Sequence, residues 1–185
     1  PGSEEAKIAL QDLKSVYIDL NDINAYASYV NSIGGNIRLE VGEQDSLTYI
    51  AAEKLFMRGD NDGARRSLAG YLQTFPEGAF SSNANFYLGS IAFAKKEFDE
   101  AIQRFKSVIA SGDTKFLEES VARTAEIEYL SKDYPAALES FKRLQIVAEN
   151  PENRQAARLG IMRCALQTGQ QKDALLAADE LLKEP

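Results

Sequence analysis

Residues 88–108 read LGSIAFAKKEFDEAIQRFKSV, and this stretch decides the fold. Ala101 is followed four and seven residues later by Phe105 and Val108, and these intervals place the three side chains on one face of a helix. Gly89 lies twelve residues before Ala101. Two helices that are joined by a tight turn must approach each other closely, and small residues at the crossing permit this. The stretch therefore predicts an antiparallel pair of helices.

The same spacing recurs along the chain, and self-similarity of this kind is the signature of a repeat protein. Small anchor residues recur at intervals of 37, 36 and 37 residues, at Ala64, Ala101, Ala137 and Ala174. The positions four and seven residues after each anchor hold Leu68 and Tyr71, Phe105 and Val108, Phe141 and Leu144, and Ala178 and Leu181. Small residues also lie twelve positions before three of the anchors, at Ala52, Gly89 and Ala125. We therefore expect four helix–turn–helix units.

Local signals for helix starts agree with this division. Ser81 and Ser82 precede one first helix, Asp133 precedes a second helix, and Asn150-Pro151 supplies an N-cap and a proline at the first helical position of another. The sequence contains no alternating run of β-branched residues that is long enough for a strand. An all-α fold is therefore predicted.

The pattern resembles the tetratricopeptide repeat (TPR) family. Leu88-Gly89, Phe98 and Ala101 continue the family's Leu-Gly, aromatic and Ala series, and Pro76 stands where the family's repeat ends with a proline. The resemblance implies an α-solenoid of antiparallel helix pairs wound into a right-handed superhelix. It covers residues 45–185, which divide into four repeats over residues 45–81, 82–117, 118–154 and 155–185. The pattern departs from the family at Glu128, where an aromatic residue is common.

The loop between the first two repeats carries a more specific pattern. Residues 72–89 read LQTFPEGAFSSNANFYLG, in which Phe-Pro, small residues, Asn-Ala and aromatic-Leu-Gly follow one another. This stretch resembles the Tol-Pal coordinator family of Gram-negative periplasms, and it is similar to the lipoprotein subunit of the outer-membrane β-barrel assembly machine. The resemblance implies a cell-envelope protein in the periplasm or at the outer membrane, with Tol-Pal or outer-membrane assembly components as partners. The alternative is a cytosolic regulatory or self-assembly TPR module.

The segment before the repeats also has a helical pattern. The first three residues, Pro1-Gly2-Ser3, are interpreted as a tag remnant, and residues 4–20 are predicted to form the second helix of a partial repeat. A further helix is predicted from an N-cap at Asp22 to Ser32. It is expected to stop at Gly34-Gly35, and a polar linker over residues 36–44 follows. The tag remnant indicates that the natural protein is longer than this chain. We therefore expect the array to begin in the middle of a repeat.

Composition excludes several classes of function. The 185 residues include 28 acidic and 21 basic side chains, with a net charge of -7, whereas binding to nucleic acid or to anionic membranes needs clustered Lys and Arg. Histidine is absent and Cys164 is the only cysteine, so Ser-His-Asp and Cys-His catalysis, His- or Cys-based zinc sites and a disulfide within the chain are excluded. No apolar run approaches the ~20 residues that a membrane-spanning helix needs.

Two loops that look like ligand-binding motifs are interpreted as turns. Residues 60–63, Asp-Asn-Asp-Gly, lack the full series of acidic ligands that a calcium loop needs. Gly34-Gly35 is not followed by Gly-Lys-Ser/Thr, so it predicts no phosphate-binding loop. Cys164 is interpreted as a buried apolar residue rather than a reactive thiol. We therefore expect a protein that is not an enzyme and that needs no metal or cofactor.

A solenoid offers instead a concave surface lined by its first helices. Alignment of the repeats places on that surface Tyr49, Glu53 and Phe56; Phe86, Ser90 and Phe93; Glu119, Glu126 and Tyr129; and Leu159 and Arg163. Aromatic anchors with a few charges suit an extended or helical segment of a partner protein. We therefore interpret the chain as a non-catalytic protein–protein interaction scaffold that is also able to self-associate. The alternative for the aromatic residues, Phe56 and Phe93 especially, is that they fill gaps between helices.

The charges of this surface predict the kind of partner. Glu53, Glu119 and Glu126 indicate a negative field, which favours a segment that carries Lys or Arg beside an apolar anchor. Among the positions at which chaperone-binding TPR domains clamp a C-terminal carboxylate, only the one held by Arg123 fits. Capture of a chaperone C-terminus is therefore not predicted.

Overall fold

The computed structural model describes residues 3–34 and 38–183, and this part of the chain contains ten α-helices and no strand. In chain order the helices are α1 (Glu4–Leu20), α2 (Ile23–Ile33), α3 (Val41–Met57), α4 (Asn61–Thr74), α5 (Ser81–Ala94), α6 (Phe98–Ser111), α7 (Leu117–Leu130), α8 (Tyr134–Val147), α9 (Pro151–Gln167) and α10 (Gln171–Lys183). The predicted all-α architecture is confirmed. Residues 1–2, 35–37 and 184–185 lie outside the described part, and with them Pro1 and Gly2 of the predicted tag remnant, Gly35 of the predicted stop and the first two residues of the predicted linker.

The helices fall into two compact units, which are described separately. The first unit comprises α1–α4 and α5 as far as Ile91, and the second begins at Ala92 and comprises the end of α5 together with α6–α10. Phe93 and all later residues predicted to line the binding surface therefore belong to the second unit.

The turn inside each of the four helix pairs from α3 to α10 has the same backbone feature. The residue five positions before each anchor alanine has a left-handed conformation, with φ between 61° and 82°, at Gly59, Lys96, Lys132 and Gly169. Glycine adopts this conformation readily, whereas a Cβ atom makes it strained. The shared turn supports the repeat register read from the sequence, and it places lysine at two strained positions.

Polar side chains cap the N-termini of five helices. The side chains of Ser3, Asp22, Asp60, Asp133 and Asn150 each accept a hydrogen bond from a backbone N–H of the first turn that follows. The helix starts predicted at Asp22, Asp133 and Asn150 are therefore confirmed.

Helix α3 begins at Val41, inside the segment predicted to be a linker over residues 36–44. The prediction was wrong for the last four residues of that segment, because tertiary contacts hold this polar turn in place. The Nζ atom of Lys14 on α1 lies 2.8 Å from the carboxylate of Glu43. Two residues later, Asp45 is already buried.

The core of the first unit is built from small and aromatic side chains. Its main cluster contains Tyr49, Ala52, Ala64, Leu68, Tyr71, Ala84, Tyr87, Leu88 and Ile91. A second cluster contains Ile23, Tyr26, Val30, Leu47 and Ala51, and Leu10, Tyr17 and Ile18 of α1 pack against it. The predicted core face of α4, which comprises Ala64, Leu68 and Tyr71, is fully buried.

A buried polar pair holds the loop between α4 and α5. The Tyr71 hydroxyl donates to Oδ1 of Asp45 at 2.5 Å, and Oδ2 of Asp45 accepts from the backbone N–H of Ala79 at 2.9 Å. The N–H of Phe80 donates to the Tyr71 hydroxyl at 3.0 Å. Burial and the hydrogen bond to Asp45 raise the pKa of Tyr71. The Phe-Pro loop singled out in the sequence is therefore anchored from both α3 and α4.

The second unit is organised around the anchor alanines of α6, α8 and α10. Ala101, Phe105 and Val108 are fully buried, as the spacing predicted. Two further clusters contain Val121, Leu144, Ala148 and Ala157, and Ala137, Leu138, Ile161, Cys164, Ala165, Ala174 and Ala177. Cys164 is fully buried in the second of these clusters, as predicted, and burial raises the pKa of its thiol.

Glu128 is buried at the position where TPR sequences commonly hold an aromatic residue. Its Oε2 atom accepts a hydrogen bond from the Ser140 hydroxyl at 2.5 Å, and its Oε1 atom lies 3.0 Å from Nζ of Lys106. A buried charge with partners on α6 and α8 therefore replaces aromatic packing at this position.

Candidate functional site

Tyr49, which was predicted to face a partner, lies in the core of the first unit. Only 2% of the residue is exposed, and its ring stacks on Phe80 with the two centroids 4.4 Å apart. Its hydroxyl donates to Oε1 of Glu53 at 2.6 Å and accepts from Nδ2 of Asn83 at 3.1 Å. Burial and the hydrogen bond to Glu53 raise the pKa of Tyr49. The prediction that Tyr49 is open to a partner was wrong, because its ring fills the space beside the Phe-Pro loop.

The other residues predicted from the first unit are half-buried. Oε1 of Glu53 also accepts a hydrogen bond from the Tyr87 hydroxyl at 3.1 Å, and the Phe56 ring lies 4.6 Å from the Tyr87 ring. Phe86 packs against the same core cluster, and Ser90 donates to the carbonyl of Phe86 at 2.9 Å. These contacts support the core, and the role of the four residues in binding stays a prediction.

The second unit contains an open cleft of about 370 Å³ between α7, α8 and α9. The residues that line it are Glu119, Ala122, Arg123, Glu126, Tyr129 and Leu130 of α7, Phe141 and Leu144 of α8, and Asn153, Ala156, Leu159, Gly160 and Arg163 of α9. On α7 and α9 most of these residues recur at intervals of three and four, so each helix presents one continuous face to the cleft. The structure thus brings together five residues that the sequence placed on the binding surface: Glu119, Glu126, Tyr129, Leu159 and Arg163.

Phe93 supports this cleft without lining it. The guanidinium carbon of Arg123 lies 4.9 Å from the centroid of the Phe93 ring, which is within the range of a cation–π interaction. The ring also packs against Phe98, with centroids 5.9 Å apart. Phe93 therefore positions a residue of the cleft.

Arg123 lies between the two glutamates of the cleft. Its Nε atom donates to Glu119 at 2.8 Å, and its Nη1 atom donates to Glu126 at 3.0 Å. With Arg163, the lining contains two acidic and two basic side chains. The predicted negative field is therefore balanced in this cleft, because Arg123 of α7 and Arg163 of α9 together offset the two carboxylates.

Glu118 ties the start of α7 to the start of α9. Its carboxylate accepts hydrogen bonds from the backbone N–H groups of Glu149 at 2.8 Å and Asn150 at 3.1 Å, and from Nδ2 of Asn153 at 2.7 Å. Burial raises the pKa of Glu118, but these hydrogen bonds outweigh burial, so the pKa is lowered overall. Since α8 runs back between them, α7 and α9 run in the same direction from this tie.

A close approach between α8 and α9 forms the floor of the cleft. A Cβ atom on Gly160 would lie only 2.4 Å from the Phe141 ring, so the ring occupies the space that a side chain would take. The Phe141 ring also makes an edge-on contact with Tyr129, with centroids 6.4 Å apart. The absence of a side chain at Gly160 therefore seats the ring between the two first helices.

Part of the apolar lining of the cleft was not predicted from the sequence. Ala122, Leu130 and Ala156 were not among the predicted site residues. A signal for two of them was present, because Ala122 lies seven residues before Tyr129 and Ala156 lies seven residues before Arg163. Extending the helical face from Tyr129 and Arg163 by two turns would have identified both alanines.

Within residues 3–34 and 38–183, no group of three or more His, Cys, Asp and Glu side chains is placed to hold a metal ion. No helix in these ranges combines the length and the apolar composition that crossing a membrane requires.

No protein-family model and no curated protein matches this chain, but solved structures do. A structure of MamA AMB-1 has a TM-score of 0.65 at 13% identity, over 98% of this chain and 92% of that one. A second MamA structure has a TM-score of 0.58 at 16% identity, over 92% of each chain. A Podospora anserina putative kinesin light chain with nearly identical TPR-like repeats has a TM-score of 0.54 at 13% identity, over 94% of this chain and 91% of that one. The chain therefore has the predicted TPR-type α-solenoid fold, and at these identities the likeness concerns the fold alone.

Proposed function

We propose that this protein is a non-catalytic interaction module that binds a segment of a partner protein in the cleft between α7, α8 and α9. The observation that carries the proposal is the composition of this cleft, in which Tyr129, Leu130 and Leu159 lie beside charged residues. Apolar walls with a few polar groups suit an anchor side chain, while the polar groups set the orientation of the bound segment. Leu130 supports the proposal further, since more than half of this large apolar residue is exposed.

The polar groups of the cleft suit recognition rather than catalysis. Glu119 and Glu126, which are the acidic residues of the cleft lining, both accept hydrogen bonds from Arg123, so they belong to one ion-paired cluster on α7 rather than to a catalytic base held beside a nucleophile. Nucleophilic catalysis needs a nucleophile beside such a base, and Tyr129 carries the single hydroxyl among the described residues that line this cleft. These features support a binding role.

A selection with short random peptides tests the proposal. Peptides enriched on the wild-type protein should bind the Leu159→Asp variant roughly thirtyfold more weakly, a loss of about 2 kcal/mol, because the substitution puts a charge where the apolar anchor lies. The matched control is Leu166→Asp on the same helix, since Leu166 is exposed and lies outside the cleft. Fluorescence polarisation measures the affinities, and circular dichroism checks that both variants are folded. Equal affinity for Leu159→Asp and Leu166→Asp would contradict the proposal.

We also propose that the protein acts in the cell envelope, in the periplasm or at the outer membrane, with Tol-Pal or outer-membrane assembly components as partners. The support is the resemblance carried by residues 72–89. The competing proposal is a cytosolic regulatory module. Fractionation of the source cells, followed by detection with an antibody against this chain, distinguishes the two: recovery with the envelope supports the first proposal, and recovery in the cytosol contradicts it.

Self-association is a second candidate function, and one comparison between repeats favours it. Leu175 follows the anchor Ala174 on α10, as Leu138 follows the anchor Ala137 on α8. Leu138 is 1% exposed because α9 and α10 cover it, whereas Leu175 is 72% exposed. Leu182, two turns further along α10, is also open. If a second copy covers this face, sedimentation will detect a dimer that Leu175→Glu removes; a monomer at high concentration would contradict the proposal.

A further inference from the structure

Two hydrogen-bond donors of the cleft are unused. The Arg163 guanidinium is exposed and forms no ion pair or hydrogen bond with any residue that the structure describes. The Tyr129 hydroxyl likewise makes no hydrogen bond within the described ranges, although its ring is held between Tyr134 and Phe141 at centroid distances of 5.7 and 6.4 Å. The cleft therefore presents a fixed hydroxyl and a free cation toward whatever binds in it.

The other arginine of the cleft has a different role. Arg123 donates hydrogen bonds from Nε to Glu119 and from Nη1 to Glu126, and it lies against the Phe93 ring. A charged group of a ligand that approaches Arg123 meets a guanidinium that is already paired with two carboxylates. Arg163 is therefore the cation of this cleft that is available to a ligand.

The two unused donors lie at the same end of the cleft. Because Glu118 ties the start of α7 to the start of α9, and both helices run in the same direction, Glu119 and Asn153 belong to the end near this tie. Tyr129 and Arg163 lie ten residues further along their respective helices. We call the end of the cleft that holds Tyr129 and Arg163 the donor end; Glu126 lies three residues before Tyr129, and its carboxylate is paired with Arg123.

We infer that the donor end of the cleft selects partner segments that carry an Asp or Glu side chain beside the apolar anchor. The inference rests on the proposed function and names the charge of its partner. An ionised carboxylate only accepts hydrogen bonds, so it matches both the guanidinium of Arg163 and the hydroxyl of Tyr129. A Lys or Arg at the same place meets a like charge. This preference is opposite to the basic partner that the glutamates of the sequence indicated, because Arg123 is paired with both glutamates of the cleft and Arg163 adds a second cation, unpaired among the residues that the structure describes.

The charge preference is tested by selecting the same library of short random peptides on three proteins. On the wild type, we expect the enriched peptides to carry Asp or Glu close to a large apolar residue. On Arg163→Glu, we expect this enrichment to disappear and Lys or Arg to replace the acidic residue. Arg143→Glu on α8 is the matched control, because it makes the same change of charge outside the cleft, and it should enrich the same peptides as the wild type.

Single peptides from this selection give the magnitude. Replacing the acidic residue by Gln should weaken binding to the wild type roughly tenfold, since a charge-assisted hydrogen bond is lost, and should have little effect on binding to Arg163→Gln. Tyr129→Phe keeps the ring and removes only the hydroxyl, so a loss of roughly fivefold is expected for the acidic peptide.

The outcomes separate this inference from the proposed function. Enrichment of apolar peptides without acidic residues, or the same acidic peptides on Arg163→Glu as on the wild type, would overturn the inference while the cleft remains the binding site. Failure of the wild type to enrich any sequence would overturn the proposed function and the inference together. Circular dichroism of each variant excludes loss of folding as the cause of a change.

Discussion

Two helical glycines have opposite surroundings, which makes them a matched pair for testing the floor of the cleft. A Cβ atom on Gly160 would meet the Phe141 ring, whereas one on Gly70 of α4 would meet no atom within 4 Å. We expect Gly160→Ala to lower the free energy of unfolding by about 1–3 kcal/mol through overpacking. Gly70→Ala should raise it by about 0.5–1 kcal/mol, because alanine has the higher helix propensity. Urea denaturation followed by circular dichroism measures both changes.

The direction in which Gly160→Ala changes the free energy of unfolding tests how this part of the cleft is packed. If Gly160→Ala is as stable as Gly70→Ala, the Phe141 ring does not rest on α9 and the described floor of the cleft is wrong. A loss at Gly160 together with weaker binding of selected peptides would link the packing of Phe141 to the shape of the cleft.

At the scale of the helix pair, the shared turn makes a prediction about Lys132. Lys132 lies in the turn between α7 and α8 with a φ of 61°. Gly169 occupies the equivalent position in the turn between α9 and α10, with a φ of 74°. We expect Lys132→Gly to raise the free energy of unfolding by about 0.5–1 kcal/mol, because the left-handed conformation is strained for a residue with a Cβ atom. Gly169→Ala is the reverse control, and it should be destabilising although no atom lies near its Cβ. Thermal denaturation that finds Lys132→Gly less stable than the wild type would contradict this account of the turn.

The tie between α7 and α9 predicts a dependence of stability on pH. The pKa of Glu118 is lowered in the folded chain, so the unfolded chain binds the proton more tightly. The contribution of Glu118 to stability is therefore complete above the unfolded pKa of about 4.3 and is lost as the pH falls through the lower folded value. We expect Glu118→Gln to be less stable than the wild type at pH 7, with a difference that shrinks at pH 3. A difference of the same size at both pH values would show that the carboxylate charge is not what holds the tie.

At the scale of the whole molecule, the sequence predicted the features that depend on local periodicity. The intervals between Ala64, Ala101 and Ala137 identified the buried faces of α4 and α6 and the anchor and Leu144 on α8, because a helix turns by the same angle at every residue. Of the residues predicted on α10, only the anchor Ala174 is buried, and Ala178 and Leu181 are half-buried. For α6 the prediction extended to three individual core residues, Ala101, Phe105 and Val108. The helix starts at polar caps were predictable for the same reason, since a cap acts within one turn.

Features that depend on contacts between distant residues could not be predicted in this way. Tyr49 occupies a first-helix position that alignment assigns to the open surface, but Phe80 and Asn83 of the following loop and helix enclose it. Burial of Glu128 depends on Lys106, which is on a different helix. In each case the burial of the side chain depends on a residue from another helix or loop. The spacing of residues along the sequence does not show which of these residues come close.

The proposed function depends on the binding of a partner segment between α7, α8 and α9 of the second unit. The most direct measurement is a titration of the isotopically labelled chain with a selected acidic peptide, followed by NMR chemical shifts of the backbone amides. We predict that the largest shifts will fall on Ala122, Tyr129, Leu159 and Arg163, with small changes elsewhere. Shifts concentrated on the residues around Tyr49 and Phe86, or on the open face of α10, with the cleft residues unchanged, would contradict the claim.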